Sequence, residues 1–364
     1  MRILLVTNDY LPKPGGIQQY LGGLVGALSA EVRVLAPRDE GVDPAVHRNR
    51  RGFMWPTGRV RRWVRAEIGD FAPDVVLFGA PHPLAHLGPG LRRETGVPYS
   101  VLCHGAEIIL PAAFPVVRSL IRYPLVHADA VFAVSEYTTR RVERLVRRPV
   151  RTVGAGVDPS FQPGERPRGT PVVGCVSRFV PRKGQRRLLT ALAAVRAEGR
   201  EVDGLFVGAG RDEAALRRLA ARLGVPCRFE VRVAYDRLPG LYREMTIFAM
   251  PCRSRWFGLE AEGLGVVFLE AAASGLTVIA GDSGGAPETV VPGTTGFVVD
   301  GDESLAEAIR LLIDDPALAA EMGRRGRERV VSEWSWRSVA GRFMEGFAAA
   351  LGGEDRDGGG TRRS

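Results

Sequence analysis

The fold is indicated first by residues 172–184, which read VVGCVSRFVPRKG. The run from Val172 to Val176 is short and almost entirely apolar, as in a parallel strand that is buried on both faces. The residues from Ser177 to Gly184 are basic and contain Pro181, so they predict a loop at the carboxyl end of that strand. Loops at such strand ends are where open α/β sheets bind their ligands.

Similar short apolar runs alternate with longer amphipathic stretches along the chain, which is the pattern of parallel strands joined by crossover helices. The runs before residue 158 are Ile3–Val6, Val32–Ala36, Val75–Phe78, Ser100–Cys103, Val131–Val134 and Val150–Val153. Those after it are Val172–Val176, Leu205–Val207, Phe229–Val233, Ile247–Met250, Val278–Ile279 and Phe297–Val299. The two series predict two doubly wound, Rossmann-like α/β domains that face each other across a cleft.

A length of 364 residues also favours two domains. The stretch Asp158–Thr170 is rich in proline and charge and predicts the linker, so the domains are expected at 1–165 and 166–335. Residues 336–351 carry apolar side chains at every fourth position and predict a last helix with one buried stripe. The polar, glycine-rich residues 352–364 predict a disordered tail.

The composition excludes several classes of protein. The net charge is +9, but no recognisable nucleic-acid module accompanies it, so small anions or lipid head groups are the expected partners and nucleic acid is not. The four cysteines are scattered singly and predict buried thiols in a reducing compartment. Neither a signal peptide nor a long apolar span is found, which predicts a cytoplasmic protein that touches membranes only from the side.

The stretch Glu262–Glu270 reads EGLGVVFLE and places seven residues between two carboxylates. If the whole span were helical, the carboxylates would be separated by about 12 Å, roughly the distance between the two sugar rings of a nucleotide diphosphate sugar. Arg178 and Lys183 would supply a bidentate fork and a compact charge for the diphosphate between those rings. The alternative is that these two cations are solvated charges at a strand end.

Three other glycine-rich turns follow predicted strands. Gly15-Gly16-Ile17-Gln18 predicts a helix entry where backbone amides can approach an anion, although an ordinary tight turn has the same sequence. The run Phe206–Gly210 lacks the third glycine of a dinucleotide fingerprint and is interpreted as a place where a base or ribose packs near the backbone. Gly281–Glu288 is interpreted as a loop that lines the pocket for the nucleotide sugar. A plain strand-to-helix connection fits this sequence equally well.

His104-Gly105-Ala106-Glu107 follows the run that ends at Cys103, so an imidazole is expected at the carboxyl edge of the first sheet. A lone histidine with a structural role is the alternative. Residues 48–65 combine seven arginines with Phe53, Met54, Trp55 and Trp63 and contain no acid, which favours contact with an anionic bilayer over a merely solvated face. Phe114, Arg118 and Arg122 are expected to extend that face.

With these motifs identified, the sequence resembles the family 4 retaining glycosyltransferases of GT-B fold over nearly its whole length, and within them the actinobacterial phosphatidylinositol mannosyltransferases. The motifs that carry the resemblance are Asn8–Pro12 with Gly15–Gln18, His104–Glu107, Ser177–Gln185, and Glu262–Glu270 continuing into Ser283–Pro287.

The resemblance implies a set of site residues. His104, Arg178, Lys183 and Glu262 would act in catalysis, with Arg178 and Lys183 on the donor diphosphate, Glu262 on the transferred sugar and Glu270 on the ribose. The donor-binding set would be Gly16, Arg178, Lys183, Gly208, Glu262, Gly263, Leu264, Gly265, Val267 and Glu270, and the acceptor-binding set Asp9, Tyr10, Gly15, Gln18 and His104. It also implies that the final helix returns to the first domain and that no metal is required.

The expected activity is retaining transfer of a hexose, with mannose from GDP-mannose and a phosphatidylinositol mannoside-type lipid at the cytoplasmic membrane face as the first hypothesis. Transfer from a UDP-hexose to a polysaccharide or a small molecule is the alternative within the family. A nucleotide-sugar epimerase or hydrolase on the same fold is the alternative outside it.

Overall fold

The computed structural model describes residues 1–40, 43–105, 108, 115–165, 167–256 and 258–352. It divides into two compact units, one formed by Met1–Gly156 with the chain from Trp336 onward and the other by Val157–Ser335. The first unit therefore ends at Gly156 rather than at the expected residue 165. The proline-rich stretch predicted as a linker belongs to the second unit, where Phe161 is buried and packs on Tyr242 with ring centroids 5.4 Å apart.

The first unit contains a seven-stranded sheet in the order β3-β2-β1-β4-β5-β6-β7, with every pair parallel. The central strand β1 pairs with β2 on one side and β4 on the other, so the strand order reverses between β1 and β4. The strands are β1 Arg2–Val6, β2 Glu31–Ala36, β3 Val46–Arg48, β4 Val75–Phe78, β5 Tyr99–Cys103, β6 Ala130–Ala133 and β7 Arg151–Thr152.

The helices of the first unit pack on both faces of this sheet through apolar residues that are buried completely or nearly so, including Val64 and Leu125. They are α1 Gly16–Ala27, α2 Gly58–Phe71, α3 Gly88–Thr95, α4 Pro115–Val126 and α5 Glu136–Val146, with a 3₁₀ turn at Leu84–Leu87.

The second unit contains a six-stranded sheet in the order β10-β9-β8-β11-β12-β13, again entirely parallel. Its strands are β8 Val172–Val176, β9 Asp203–Val207, β10 Cys227–Glu230, β11 Ile247–Met250, β12 Thr277–Gly281 and β13 Gly296–Val299. Its helices are α6 Gln185–Ala197, α7 Glu213–Leu223, α8 Leu238–Arg243, α9 Val266–Ala273, α10 Asp302–Asp314 and α11 Pro316–Glu333. The prediction of two parallel-sheet α/β domains is confirmed.

The last helix, α12 Trp336–Leu351, returns to the first unit as predicted. Phe343 and Phe347 are fully buried and pack on Phe132 of β6, with ring centroids 4.7 and 5.2 Å apart. The predicted disordered tail lies outside the described residues apart from Gly352.

Two strand predictions differ from the structure. The run Phe229–Val233 was placed too late, because β10 ends at Glu230 and Arg232 takes a positive φ of 53° that breaks the extended backbone. The short strand β3, which ends at the first residue of the arginine-rich segment 48–65, was not predicted. No helix among the described residues combines the length and the apolar character that a membrane span requires.

Candidate functional site

The loop after β8 is fixed by its own side chains. Gln185, the first residue of α6, donates from Nε2 to Ser177 Oγ at 2.8 Å and to the Arg178 carbonyl at 2.9 Å. A 3₁₀ turn at Pro181–Lys183 then directs Lys183 into the unit, where it is buried. The Arg178 side chain is exposed and, among the described residues, takes no part in the ion pairs of this loop. The loop thus holds Lys183 in the protein and leaves Arg178 open to a ligand.

Lys183 and Glu262 form a buried ion pair. Lys183 Nζ donates to Glu262 Oε2 at 2.7 Å, and Arg182 donates to the same oxygen at 2.6 Å. Burial of Glu262 works to raise the pKa of its carboxyl, but Lys183 and Arg182 outweigh that effect and lower it. Glu262 is therefore a carboxylate held by two cations on one oxygen.

The chain turns between Glu262 and the start of α9, with one left-handed residue at Gly265. Gly265 has a φ of 87°, and the helix begins at Val266 rather than at Glu262. The condition on which the 12 Å separation was calculated, a helix over the whole of Glu262–Glu270, is therefore not met, and that separation does not apply. The N-cap Gly265 provides no side-chain acceptor for the first turn of the helix, whose backbone N–H groups and dipole favour an anion. Leu264 is buried beside this turn, and Val267 is half-buried in the first turn of α9.

The loop after β12 supports that turn. Ser283 Oγ accepts from the Glu262 backbone N–H at 3.3 Å, and the Gly285 N–H donates to the Glu262 carbonyl at 2.9 Å. A Cβ atom at Gly284 would lie 2.0 Å from that carbonyl, and one at Gly285 would lie 2.2 Å from the Gly263 carbonyl. The two glycines are thus required by the Glu262 turn, and the loop is more than a plain strand-to-helix connection.

Glu270 occupies a separate environment on α9. Its Oε2 accepts from the Tyr242 hydroxyl at 2.9 Å and its Oε1 from the Tyr235 hydroxyl at 3.3 Å. Burial raises the pKa of the Glu270 carboxyl to about 7, the two tyrosine hydroxyls oppose the rise, and the negative charge of Asp158 adds to it. The structure therefore brings Glu262 together with Lys183, but pairs Glu270 with tyrosines.

Gly208 and Gly210, which follow β9, were expected to make room for a base or ribose. The structure gives a different steric reason for them. A Cβ atom at Gly208, whose φ is 143°, would lie 2.0 Å from the Ser177 carbonyl, and one at Gly210 would lie 2.3 Å from the Phe179 carbonyl. The absence of side chains here lets the β8 and β9 loops lie side by side. A close approach of the nucleotide is not needed to explain Gly208.

In the first unit, Gly15 and Gly16 stand at the entry of α1, which starts at Gly16. Gln18 Nε2 donates to Asp9 Oδ1 at 2.8 Å and so ties the first turn of the helix to the loop after β1. A Cβ atom at Gly15 would collide with the Gln18 side chain, whereas one at Gly16 would find no atom within 4 Å. Gly16 is exposed, so a ligand has access to it. Tyr10 is buried, and that burial raises the pKa of its hydroxyl to about 12.

His104 follows β5 and is half-buried. Its Nε2 lies 3.0 Å from the carbonyl oxygen of Gly79, the residue after β4, and its ring meets Tyr20 edge to face at a centroid distance of 5.3 Å. Tyr20 in turn donates to the Gly154 carbonyl at 2.7 Å. The first unit therefore fixes the orientation of this imidazole. Ala106 and Glu107 of the same motif lie outside the described residues.

The arginine-rich segment is only partly a surface. Met54 is fully buried and Trp63 is half-buried, with its indole N–H donating to Glu67 at 3.1 Å. Phe53 and Trp55 remain exposed, the latter by 56%, and their ring centroids lie 5.0 Å apart. Arg61 pairs with Glu94 at 2.5 Å. Phe114, expected to extend this face, lies outside the described residues.

The sequence interpretation missed Arg182, Tyr235, Tyr242 and Ser283 as site residues. Arg182 was quoted only as a neighbour of Lys183, and the two tyrosines resemble ordinary core aromatics. Their spacing of seven residues just before β11 was the one available signal, because it allows both hydroxyls to reach one partner.

Comparisons with known proteins agree with this architecture. A family model described as Glycosyltransferase Family 4 matches residues 14–161, and one described as Glycosyl transferases group 1 matches residues 157–329. A GDP-mannose-dependent alpha-(1-6)-phosphatidylinositol monomannoside mannosyltransferase of Mycobacterium tuberculosis H37Rv is 39% identical over 96% of this chain and 99% of its own length. A Corynebacterium glutamicum mannosyltransferase for monoacylated alpha-(1-6)-phosphatidylinositol monomannoside is 37% identical over 94% of this chain and 96% of its own.

Two solved structures show the same fold at lower identity. Anabaena HepE in complex with UDP has a TM-score of 0.79 at 20% identity and covers 96% of this chain and 100% of its own. Sucrose-phosphate synthase from Thermosynechococcus elongatus has a TM-score of 0.77 at 21% identity and covers 94% of this chain and 97% of its own.

Proposed function

The chain belongs to glycosyltransferase family 4, and on that premise we propose that it transfers mannose from GDP-mannose to a phosphatidylinositol monomannoside. The observation that carries the proposal is the 39% identity to a mycobacterial enzyme of that printed activity over 96% of this chain and 99% of the relative. The site supports it, because the second unit holds a buried lysine and an exposed arginine on one loop, beside an uncapped helix start.

The donor diphosphate is proposed to bind at Lys183 and Arg178. Negative charge grows on the diphosphate as the sugar departs, so cations fixed beforehand stabilise the transition state more than the ground state. Lys183 then exchanges Glu262 for the phosphate, and Arg182 keeps Glu262 neutralised. The first-turn amides of α9 add a further partial positive charge.

Glu262 and the turn from Gly263 to Gly265 are proposed to hold the transferred mannose, and Glu270 the ribose. Gly16 is proposed to pack against the diphosphate, and His104 to contact the sugar near the reacting carbon. Asp9, Tyr10, Gly15 and Gln18 form the proposed acceptor set. The acceptor hydroxyl attacks from the face that the diphosphate leaves, and a diphosphate oxygen takes its proton, so the anomeric configuration is retained.

The donor assignment is tested by titrating the protein with GDP and with UDP in a calorimeter. GDP is expected to bind at least ~10-fold more tightly, a difference of about 1.4 kcal/mol. Purified protein, GDP-mannose and phosphatidylinositol monomannoside should yield a product one hexose heavier by mass spectrometry. Tighter binding of UDP, with transfer from a UDP-hexose, would replace this assignment by the other donor class, and rapid donor turnover without acceptor would indicate a hydrolase.

Catalysis is proposed to need no metal ion, because protein cations and helix amides neutralise the diphosphate. Transfer rates are expected to be equal in EDTA and in added Mg²⁺. A rate that falls with EDTA and returns with Mg²⁺ would contradict this part of the proposal.

The protein is further proposed to bind the anionic inner face of the cell membrane as a peripheral enzyme. Helix α4 exposes Val116 by 83% together with Leu120 and Tyr123, and Arg118 and Arg122 lie exposed between them. The described part of this helix carries no acidic residue. An apolar row with interspersed arginines suits insertion into an anionic lipid surface.

The membrane proposal is tested by sedimentation with phosphatidylglycerol vesicles. Leu120→Glu is expected to weaken binding at least ~10-fold, because it places a charge among lipid tails and near an anionic surface. The matched control is Leu311→Glu, since Leu311 on α10 of the second unit is exposed to a similar extent, 43% against 48%. Equal effects of the two substitutions would show that α4 does not contact the bilayer.

A further inference from the structure

The Glu270 carboxyl is hydrogen-bonded to two tyrosine hydroxyls, and this arrangement restricts which of these groups can carry a proton. The Tyr242 hydroxyl lies 2.9 Å from Glu270 Oε2 and also 3.2 Å from the Val267 carbonyl oxygen. A phenol has one proton and both neighbours can accept it, so the hydroxyl cannot serve both fully. Either Glu270 is ionised and accepts the hydrogen bond of the Tyr242 hydroxyl, or Glu270 is protonated, donates to the Tyr242 oxygen and leaves that hydroxyl to donate to the Val267 carbonyl.

The second tyrosine acts on the other carboxyl oxygen. Tyr235 lies on a 3₁₀ turn before α8, is half-buried, and reaches Glu270 Oε1 at 3.3 Å. Both carboxyl oxygens thus have one phenol partner each. An ionised carboxylate has about four acceptor positions, so two remain for other donors.

The tyrosines are themselves held by aromatic packing. Phe161 is buried and meets the ring of Tyr235 edge to face at 5.8 Å and the ring of Tyr242 at 5.4 Å. Tyr242 is fully buried and also contacts Phe248 of β11 at 5.8 Å. Such support fixes a hydroxyl group to within the tolerance that a recognition site needs.

We infer that Tyr235 and Tyr242 are positioning residues that orient the Glu270 carboxyl so that its ionised form offers two acceptor positions to the ribose diol of the donor. The inference rests on the proposed function, in which Glu270 contacts ribose. Two neighbouring hydroxyls match two free acceptor positions on one carboxylate, and binding them selects the ionised state. Below neutral pH the protein therefore releases a proton when the nucleotide binds, because Glu270 enters the complex without its proton.

The test is a double-mutant cycle between the protein and the nucleotide. Affinities for GDP and for 2′-deoxy-GDP are measured for the wild type, Tyr242→Phe and Tyr235→Phe. The wild type is expected to prefer GDP by at least ~10-fold, and each variant to reduce that preference to about 3-fold or less, mainly by weakening GDP. Tyr99→Phe in the first unit is the matched control, because it also removes a buried tyrosine hydroxyl that donates to a carbonyl.

Proton release gives a second readout that a merely structural role would not change. Calorimetry of GDP binding at pH 6 in buffers of different ionisation enthalpy is expected to show close to one proton released by the wild type. Glu270→Gln should release none, since it has no proton to lose. Equal weakening of GDP and 2′-deoxy-GDP by both tyrosine variants, or no proton release by the wild type, would overturn the inference.

Failure of this inference can be distinguished from failure of the proposal that GDP-mannose is the donor. If the wild type binds UDP rather than GDP, the same cycle is run with UDP and 2′-deoxy-UDP, because every nucleotide-sugar donor of this kind carries the ribose. If Tyr242→Phe does not fold, Tyr235→Phe alone decides, because its side chain is only half-buried.

Discussion

At the scale of single residues, the pair of cations on Glu262 determines what a substitution of Lys183 does. Lys183 and Arg182 donate to the same carboxylate oxygen, so removal of either one leaves the buried charge with a partner. A buried carboxylate that lost all its partners would cost several kcal/mol. A substitution of Lys183 should therefore leave the protein folded but impair the transfer reaction.

Lys183→Ala is expected to reduce kcat/KM for transfer by at least ~100-fold, as does the loss of a preorganised electrostatic donor in other enzymes. The melting temperature should change little, because Arg182 still neutralises Glu262. Arg200→Ala is the control, since it removes a cation of the same unit that pairs with Asp314 at the surface. Near-normal transfer by Lys183→Ala would contradict its role on the diphosphate.

Glu270 links the site to the pH dependence of stability. Its folded pKa of about 7 lies above the ordinary value of 4.5, so the folded state binds more protons than the unfolded state between these values. The stabilisation is fully present below pH 4.5 and is lost as the pH rises through 7, by up to about 3 kcal/mol.

Glu270→Gln removes this titration. The stability of the variant relative to the wild type should therefore be greater at pH 8 than at pH 5.5. The variant is expected to bind GDP more weakly at both pH values. Urea midpoints at the two pH values measure the effect. If the stability difference between variant and wild type is the same at both pH values, Glu270 is already ionised in the folded protein at pH 5.5, and its pKa is not raised to about 7.

At the scale of elements, several helices of the proposed donor site begin next to a glycine. Helix α1 allows the role of one such glycine, Gly16, to be tested. Gly16 and Gly26 lie in the same helix, and a Cβ atom at either meets nothing within 4 Å. Alanine is favoured over glycine inside a helix by roughly 0.5–1 kcal/mol. Gly16→Ala and Gly26→Ala should therefore both preserve the melting temperature or raise it.

Only Gly16→Ala is expected to impair the enzyme, with a KM for the donor at least ~10-fold higher, because its methyl group would occupy the space of the diphosphate oxygens at the helix end. Gly26→Ala should keep the kinetics of the wild type. Steady-state assays with varied GDP-mannose make the comparison. Identical kinetics for the two variants would remove Gly16 from the donor site.

At the scale of the whole molecule, the sequence predicted the layers better than the contacts of the site. Fully apolar runs of four or five residues, such as Val75–Phe78, are typical of buried strands, so the two sheets followed from the pattern. The ion pair of Lys183 with Glu262 joins residues 79 positions apart, which no local pattern predicts. The 12 Å separation of the two carboxylates assumed a helix over the whole of Glu262–Glu270, whereas Gly265 takes a left-handed backbone and α9 begins only at Val266.

The chain leaves the first unit at Gly156 and comes back to it at Trp336, so the stability of that unit depends on its last helix. Phe343 of α12 is fully buried against Phe132, and Phe343→Ala is expected to destabilise the protein by about 3–5 kcal/mol through lost burial and the cavity left behind. Val331→Ala on α11 is the control, since Val331 is exposed. Urea unfolding followed by circular dichroism measures both variants. If they unfold at the same urea concentration, α12 is not part of the core of the first unit; a lower midpoint for Phe343→Ala alone means that residues beyond Ser335 complete that core.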